Sequence, residues 1–204
     1  MDIRTRSIAW YQTLGLLSMN KLKPFLILEC DNVDIISSGL YNFIKDKTEI
    51  LQSGISGWHF LDSKQVLDAV PELLQYFLDQ KLYIRDSAIT ILDDDLALHI
   101  DPAPMVAKIN FPVINTDGWV NRWYYISDRV TEIPLTITKF GHSVEDAQEI
   151  PKEALILAGE VYDMSKPMIF HSRIPHEVIK QNPSVTPRII ASFTFHNQPT
   201  HLLE

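Results

Sequence analysis

The sequence predicts a mainly β fold with helices in its N-terminal part, an α+β arrangement centred on a jelly roll or related double-stranded β-helix. After residue 86 the chain consists of short segments rich in β-branched and aromatic residues, separated by turn residues. Before that point, residues 62–82 carry apolar side chains at helical spacing. With 204 residues, of which 46% are hydrophobic, the chain can bury one sizeable core. We therefore expect a single domain over residues 1–204, with a helix-rich support at 1–86 and a β core at 87–195.

The predicted elements follow one another along the chain in a simple order. The apolar run at residues 24–29, PFLILE, is typical of a strand. The segment at 62–82, DSKQVLDAVPELLQYFLDQKL, predicts one or two amphipathic helices that support one sheet. Eight β segments then follow, with the sequences SAITIL, LALHID, VAKINFPVI, RWYYIS, LTITKF, EALILA, KPMIFHS and RIIASFTF.

Composition narrows the class of protein. The formal net charge is −8 and the pI is near 5.3. These values disfavour nucleic acid and anionic membranes as partners, because a protein binds such polyanions through a positively charged surface. We find no run of 18 apolar residues and no secretory leader, so we expect a cytoplasmic protein with no membrane association. The single cysteine, Cys30, excludes an internal disulfide and a thiolate metal cluster. Any metal site must therefore use histidine and carboxylate ligands.

One such pair lies in the segment LALHIDPAP. Side chains alternate across a strand, so His99 and Asp101 point to one face while Leu98 and Ile100 point to the other. The two polar groups can converge on one ion. An H-x-D pair alone is weak evidence, because an exposed polar strand face has the same pattern.

The C-terminal part of the chain adds further candidates. His176 is followed by a polar loop and then by Arg188, which opens the last strand. In that strand Arg188, Ile190, Ser192 and Thr194 share one face, and the alternate residues share the other. A guanidinium group matches a carboxylate bidentately, so this face is a candidate wall for an anionic ligand.

Together these residues resemble one family, the iron(II)- and 2-oxoglutarate-dependent oxygenases. The resemblance covers residues 87–195 and implies that His99, Asp101 and His176 bind Fe(II), while Arg188 anchors the distal carboxylate of 2-oxoglutarate. Asn110 resembles the polar residues that line the cosubstrate pocket in this family. The implied activity uses O2 and couples the decarboxylation of 2-oxoglutarate to succinate with C–H hydroxylation, with ascorbate as a reductant.

The sequence leaves several alternatives open. His171 is a second candidate for the distal ligand, and Lys108 is a second candidate for the carboxylate anchor. Ile190 occupies a position where the family often has a hydrogen-bonding residue, so a further partner for the carboxylate must come from elsewhere. A metal-dependent, cupin-like enzyme without 2-oxoglutarate needs only the three metal ligands, and a non-catalytic jelly roll needs none. The expected substrate is a small molecule or an amino-acid side chain of a peptide or protein, and the oligomeric state is not predicted.

Overall fold

The computed structural model describes the side chains of most of the chain, over residues 22–47, 57–101, 105–127 and 150–203. For two short strands, at 135–137 and 143–145, it describes the backbone only. The N-terminal residues in which we predict no leader, and the end of the predicted strand at 135–140, lie outside the described residues.

The larger of the two main sheets, here called the major sheet, has six antiparallel strands. These are β1 (Phe25–Ile27), β2 (Gly57–Leu61), β3 (Ile84–Leu92), β5 (Ala107–Ile114), β10 (Met168–His171) and β12 (Arg188–Phe195). Their order in the sheet is β1-β10-β5-β12-β3-β2. The long strand β12 therefore lies near the middle, where it pairs with β5 on one side and β3 on the other.

The minor sheet has four strands and faces the major sheet across a shared interior. Its members are β4 (Leu96–His99), β6 (Trp119–Ile126), β9 (Leu155–Tyr162) and β11 (His176–Lys180), in the order β4-β11-β6-β9. A separate hairpin consists of β7 (Leu135–Ile137) and β8 (Ser143–Glu145). Short 3-10 helices at Lys152–Ala154 and Pro199–Leu203 complete the described elements.

Three helices cover the outer face of the major sheet: α1 (Val33–Lys45), α2 (Ser63–Ala69) and α3 (Pro71–Asp79). The carboxylate of Asp62 accepts a hydrogen bond from the Gln65 amide at 3.1 Å and so caps α2. Proline begins α3, where a missing amide hydrogen costs nothing. Beneath the helices, Phe77 packs edge to face against Phe193 and Phe195, at centroid distances of 5.2 and 5.1 Å. This apolar layer leaves the opposite face of the sheet for polar groups.

The predicted fold class is confirmed: the protein is mainly β, with helices from its N-terminal part packed on one sheet. Two helices, α2 and α3, occupy the segment where one or two were predicted. Helix α1 and strands β2, β8 and β11 were not predicted. Both β1 and β2 come from the region 1–86 and join the major sheet, so this region contributes strands as well as helices. None of the described helices is long and apolar enough to cross a membrane.

Candidate metal centre and anion pocket

A cleft lies between the major and minor sheets and contains about 460 Å³ of space, part of which is open to solvent. Three apolar side chains, Met168, Phe170 and Ile190, pack with Trp123 along one wall. The other walls carry polar and charged groups from both sheets. The cleft is lined by all five residues to which the resemblance gives a role, namely His99, Asp101, Asn110, His176 and Arg188.

Strand pairing brings the two distant histidines together. β11 runs antiparallel to β4, and His176 is the direct partner of His99, with ring centroids 4.2 Å apart. Asp101 follows β4, and its amide donates a hydrogen bond to the Ser172 carbonyl at 3.1 Å. As a result one ligand atom from each of His99, Asp101 and His176 lies within 4.8 Å of the other two.

Backbone carbonyls orient both imidazole rings. Nδ1 of His99 donates a hydrogen bond to the carbonyl of Ala97 at 2.8 Å, and Nδ1 of His176 donates to that of Ile174 at 2.9 Å. A histidine whose Nδ1 donates in this way presents the lone pair of Nε2, which is the usual arrangement of a metal-binding imidazole. Both rings are therefore prepared to bind a cation through Nε2.

The interior holds these ligands in the protonation states that metal binding requires. Burial, together with the neighbouring His99, lowers the pKa of His176 to about 3, and burial also lowers the pKa of His99. Burial works against ionisation of Asp101, but the positive charge of Lys108 and the two imidazoles hold its pKa below the usual range. Near neutral pH the site thus offers two neutral imidazoles and one carboxylate.

The two oxygens of Asp101 have different surroundings. Oδ1 lies 2.8 Å from Nζ of Lys108 in a buried ion pair. Oδ2 is buried, lies 3.8 Å from Nε2 of His176 and has no hydrogen-bond partner within the described ranges. A buried carboxylate oxygen without a partner is costly. Oδ2 therefore has the position and the unmet bonding capacity of a metal ligand.

Arg188 lines the cleft and is only 1% exposed. Its Nη2 donates a hydrogen bond to Oδ1 of Asn121 at 3.0 Å, and its guanidinium lies 5.9 Å from the ring centre of Trp119. Among the described residues, Nε and Nη1 have no hydrogen-bond partner. Burial lowers the pKa of Arg188 to about 10, so the group stays charged at neutral pH. Two donors of a buried cation are thus available to an anion.

Further buried polar atoms along the cleft lack partners in the part of the chain that the structure describes: Oγ1 of Thr90, Oδ1 of Asn110, Nδ2 of Asn121 and Nε1 of Trp123. Most of these atoms are hydrogen-bond donors. Buried donors are normally satisfied by protein or by an ordered guest, so this concentration indicates a binding site for an oxygen-rich anion.

The structure also bears on the open alternatives. His171 is buried on β10 and is not a member of the ligand group, which contains His176 instead. Lys108 contacts Asp101, and Arg188 is buried rather than exposed. Sequence reasoning missed Thr90 and Asn121. Strand alternation could have found Asn121, because it lies two residues before Trp123 on the same face. It could not have found Thr90, because the place of Thr90 beside Ile190 depends on the pairing of β3 with β12.

The residues fit a divalent metal of the non-haem iron type. Two neutral imidazoles and one carboxylate, close together and facing a cleft, form the donor set that leaves adjacent coordination positions open. The orphaned Oδ2 of Asp101 is the observation that favours a metal over a simple hydrogen-bond network.

Comparison with known proteins gives a result at the level of the fold. No protein-family model matches the chain, and no curated protein matches its sequence. Among solved structures, the chain is similar to SnoK, a non-haem α-ketoglutarate-dependent carbocyclase from nogalamycin biosynthesis, with a TM-score of 0.51, 11% identity and coverage of 94% of this chain and 83% of that one.

Two further solved structures match the chain with similar TM-scores, identities and coverages. The α-ketoglutarate-dependent epimerase SnoN, also from nogalamycin biosynthesis, has a TM-score of 0.50, 10% identity and coverage of 89% of this chain and 82% of its own. The non-haem monooxygenase ThoJ has a TM-score of 0.50, 13% identity and coverage of 88% and 76%. The predicted resemblance is thus confirmed at the level of the fold: the chain has the double-stranded β-helix architecture of these non-haem enzymes.

Proposed function

We propose that this protein is an Fe(II)- and 2-oxoglutarate-dependent oxygenase, and specifically a hydroxylase of a small molecule or of an amino-acid side chain. One observation carries the proposal. The clustered ligand atoms of His99, Asp101 and His176 share a cleft with a buried arginine, Arg188, that has two available donors. This combination supports a metal and a carboxylate guest in the same pocket.

In this proposal His99 and His176 would hold Fe(II) through Nε2, and Asp101 would hold it through Oδ2. Iron(II) bound by two histidines and one carboxylate supplies open positions for 2-oxoglutarate and O2. The overall reaction is balanced: 2-oxoglutarate, O2 and the substrate R–H give succinate, CO2 and R–OH. One oxygen atom enters succinate and the other enters the product.

Arg188 is the proposed anchor of the distal carboxylate of 2-oxoglutarate, through two parallel N–H groups: the remaining one of Nη2, together with that of either Nε or Nη1. The hydrogen bond from Nη2 to Asn121 helps to fix the plane of the guanidinium in the wall of the cleft. A charge-assisted bidentate contact of this kind is directional as well as strong. The same contact compensates the charge of a guanidinium that is otherwise buried at a cost.

Thr90 is the proposed second partner of that carboxylate. The residue two positions after Arg188 is Ile190, which cannot donate a hydrogen bond. Thr90 is the direct cross-strand neighbour of Ile190 on β3, it lines the cleft, and its buried hydroxyl has no partner within the described residues. The neighbouring strand thus supplies the hydroxyl that is absent at position 190. Asn110 and the indole nitrogen of Trp123 are further candidate contacts for the cosubstrate.

The substrate is proposed to approach beside Trp58, which lines the cleft, is 49% exposed and lies 6.1 Å from the ring of His99. A small molecule or a peptide side chain suits an entrance of this kind. Nucleic acid is disfavoured by the net charge of −8. A cupin-like enzyme without 2-oxoglutarate would require only the metal ligands, and the available donors of Arg188 favour the cosubstrate-dependent reaction.

The proposal is tested by adding Fe(II) and then 2-oxoglutarate to the protein under anaerobic conditions. Bidentate chelation of the metal by the 2-oxo acid gives a visible charge-transfer band, which we expect in the wild-type protein. The band should be lost in His176→Ala and retained in His171→Gln, because only His176 belongs to the ligand group. The second variant is a matched control, since both histidines are buried and they lie in consecutive strands.

Turnover gives an independent measurement. With Fe(II), ascorbate, 2-oxoglutarate and O2 we expect succinate to form, slowly in the absence of the true substrate. A folded, metal-loaded protein that neither binds 2-oxoglutarate nor forms succinate would contradict the proposal and favour the alternatives without a cosubstrate.

A further inference from the structure

The ion pair between Lys108 and Asp101 has no part in the chemistry proposed above. Nζ of Lys108 lies 2.8 Å from Oδ1 of Asp101, and the two side chains are 11% and 2% exposed. The ring of Trp58 lies 5.8 Å from the same Nζ and shields it further from water. Ion pairs attract most strongly where water is excluded, so this lysine compensates most of the charge of Asp101.

Asp101 does not depend on Lys108 for its place in the fold. Its amide donates to the Ser172 carbonyl at 3.1 Å, and its own carbonyl accepts a hydrogen bond from the guanidinium of Arg173. These contacts fix the backbone on both sides of the carboxylate. The contribution of Lys108 is therefore chiefly one of charge.

A positively charged partner weakens the binding of metal by a ligand, whereas the usual hydrogen-bonding partners of metal ligands strengthen it. Groups that hydrogen-bond to metal ligands commonly orient them and raise their basicity, and their loss weakens metal binding. An ammonium group instead withdraws negative charge from the carboxylate and repels a divalent cation nearby.

We propose that Lys108 is a resident countercation of Asp101. A divalent metal must compete with the ammonium group of Lys108 for this carboxylate, and the affinity of the metal-free site for the metal is therefore low. This inference rests on the proposed metal site. Its consequence is a pocket that tolerates a buried carboxylate without metal and takes up a cation most readily together with an anionic guest, whose charge offsets the excess of positive charge.

The test compares the affinity of Mn²⁺ for the wild-type protein and for Lys108→Met, by calorimetric titration without 2-oxoglutarate. Methionine keeps the length of the side chain and removes its charge. We expect Lys108→Met to bind Mn²⁺ about tenfold or more tightly than wild type, on the scale by which outer partners alter metal affinity. Lys108→Arg keeps the charge and should stay within about threefold of wild type.

Lys166→Met is the matched control. Lys166 forms an ion pair of 2.7 Å with Glu29. This pair is comparable in length but exposed, and neither residue lines the cleft, so its loss should leave Mn²⁺ affinity unchanged. Lys108→Gln is the second neutral variant, for the case in which methionine impairs folding, because glutamine retains a donor for Asp101. It should bind Mn²⁺ more tightly than wild type as well.

Thermal unfolding gives a second readout. Without metal, Lys108→Met should melt at a lower temperature than wild type, because Asp101 then lacks a partner, and Mn²⁺ should raise its Tm by more than it raises that of wild type. Equal or weaker Mn²⁺ affinity in the two neutral variants would overturn the inference and make Lys108 an orienting group. Failure of every variant, wild type included, to bind Mn²⁺ would instead overturn the proposed metal site.

Discussion

Replacement of Arg188 separates binding of the cosubstrate from binding of the metal. Arg188→Met retains much of the side-chain volume and removes the buried charge with its two available donors. A charge-assisted hydrogen bond contributes about 1.5 to 3 kcal/mol, and two parallel bonds to one carboxylate are not additive. We therefore expect 2-oxoglutarate binding to weaken by about 2 to 4 kcal/mol, which is roughly 30-fold to 1000-fold in Kd.

Calorimetric titration of 2-oxoglutarate into Mn²⁺-loaded protein measures this loss directly, and thermal unfolding measures it independently. At a ligand concentration about 100 times the wild-type Kd, stabilisation by the ligand is about 2.7 kcal/mol. If Kd rises about 100-fold, the same concentration stabilises the variant by only about 0.4 kcal/mol. Arg188→Lys should recover part of the loss, since a point charge cannot reproduce the planar fork.

Two controls isolate the effect. Mn²⁺ affinity should stay within about threefold of wild type, because Arg188 is not a ligand. Arg122→Met removes an arginine that lies on β6 and bonds to Glu160, and it should leave 2-oxoglutarate affinity unchanged. An Arg188→Met variant that binds 2-oxoglutarate as wild type does would refute the anchoring role and exclude the cosubstrate geometry proposed here.

Three further outcomes are expected. Thr90→Val, which replaces a hydroxyl by a methyl group, should weaken 2-oxoglutarate binding by about 1 kcal/mol in the same titration, and unchanged affinity would remove Thr90 from the pocket contacts. Burial and the charge of Arg173 lower the pKa of His171 to about 4. As the pH falls below about 6.5, this histidine therefore takes up a proton in the unfolded chain but stays neutral in the folded chain, which favours unfolding. His171 should accordingly account for about 2 kcal/mol of the fall in the free energy of unfolding between pH 6.5 and 4.5. In urea titrations His171→Gln should lose about that much less than the wild type, and the loss that remains comes from His99 and His176, whose pKa values are also lowered. Phe77→Ala should lower the free energy of unfolding by about 3 to 5 kcal/mol, because Phe77 is buried against the aromatic residues of the major sheet; a loss below about 1 kcal/mol would contradict that packing.

Strand alternation predicted from sequence which residues of two strands line the cleft. In β12 it assigned Arg188 and Ile190 to one face, and both line the cleft, whereas Ile189 and Phe193 belong to the core beneath the helices. In β4 it assigned His99 and Leu98 to opposite faces. His99 lines the cleft, whereas Leu98 packs in a separate apolar cluster. The argument succeeds because the two-residue period of a strand is a local property of the backbone.

Pairings between distant segments could not be predicted in the same way. The strand β11, HEVIK, contains one buried hydrophobic residue, Val178, and its sequence gives little indication of a strand. It forms because β4 and β6 pair with its two edges. The contacts of Lys108 with Asp101, and of Thr90 with Ile190, likewise depend on which strands become neighbours. Helix α1 is a different case, since Ile36, Leu40 and Ile44 recur at intervals of four residues and were a usable signal.

The strand β4 lies at the border of the minor sheet, so the proposed metal site also bears on whether this sheet border can pair with another chain. Only β11 pairs with this four-residue strand among the described elements, and the pair includes His99 opposite His176. A cation held by both rings would act as a cross-link between side chains and bind the outermost strand to its neighbour. Exposed strand borders are places where chains join incorrectly, and a border that cannot fray is a poorer template for such joining. With the proposed metal bound at this border, its removal would leave a protein more prone to self-association.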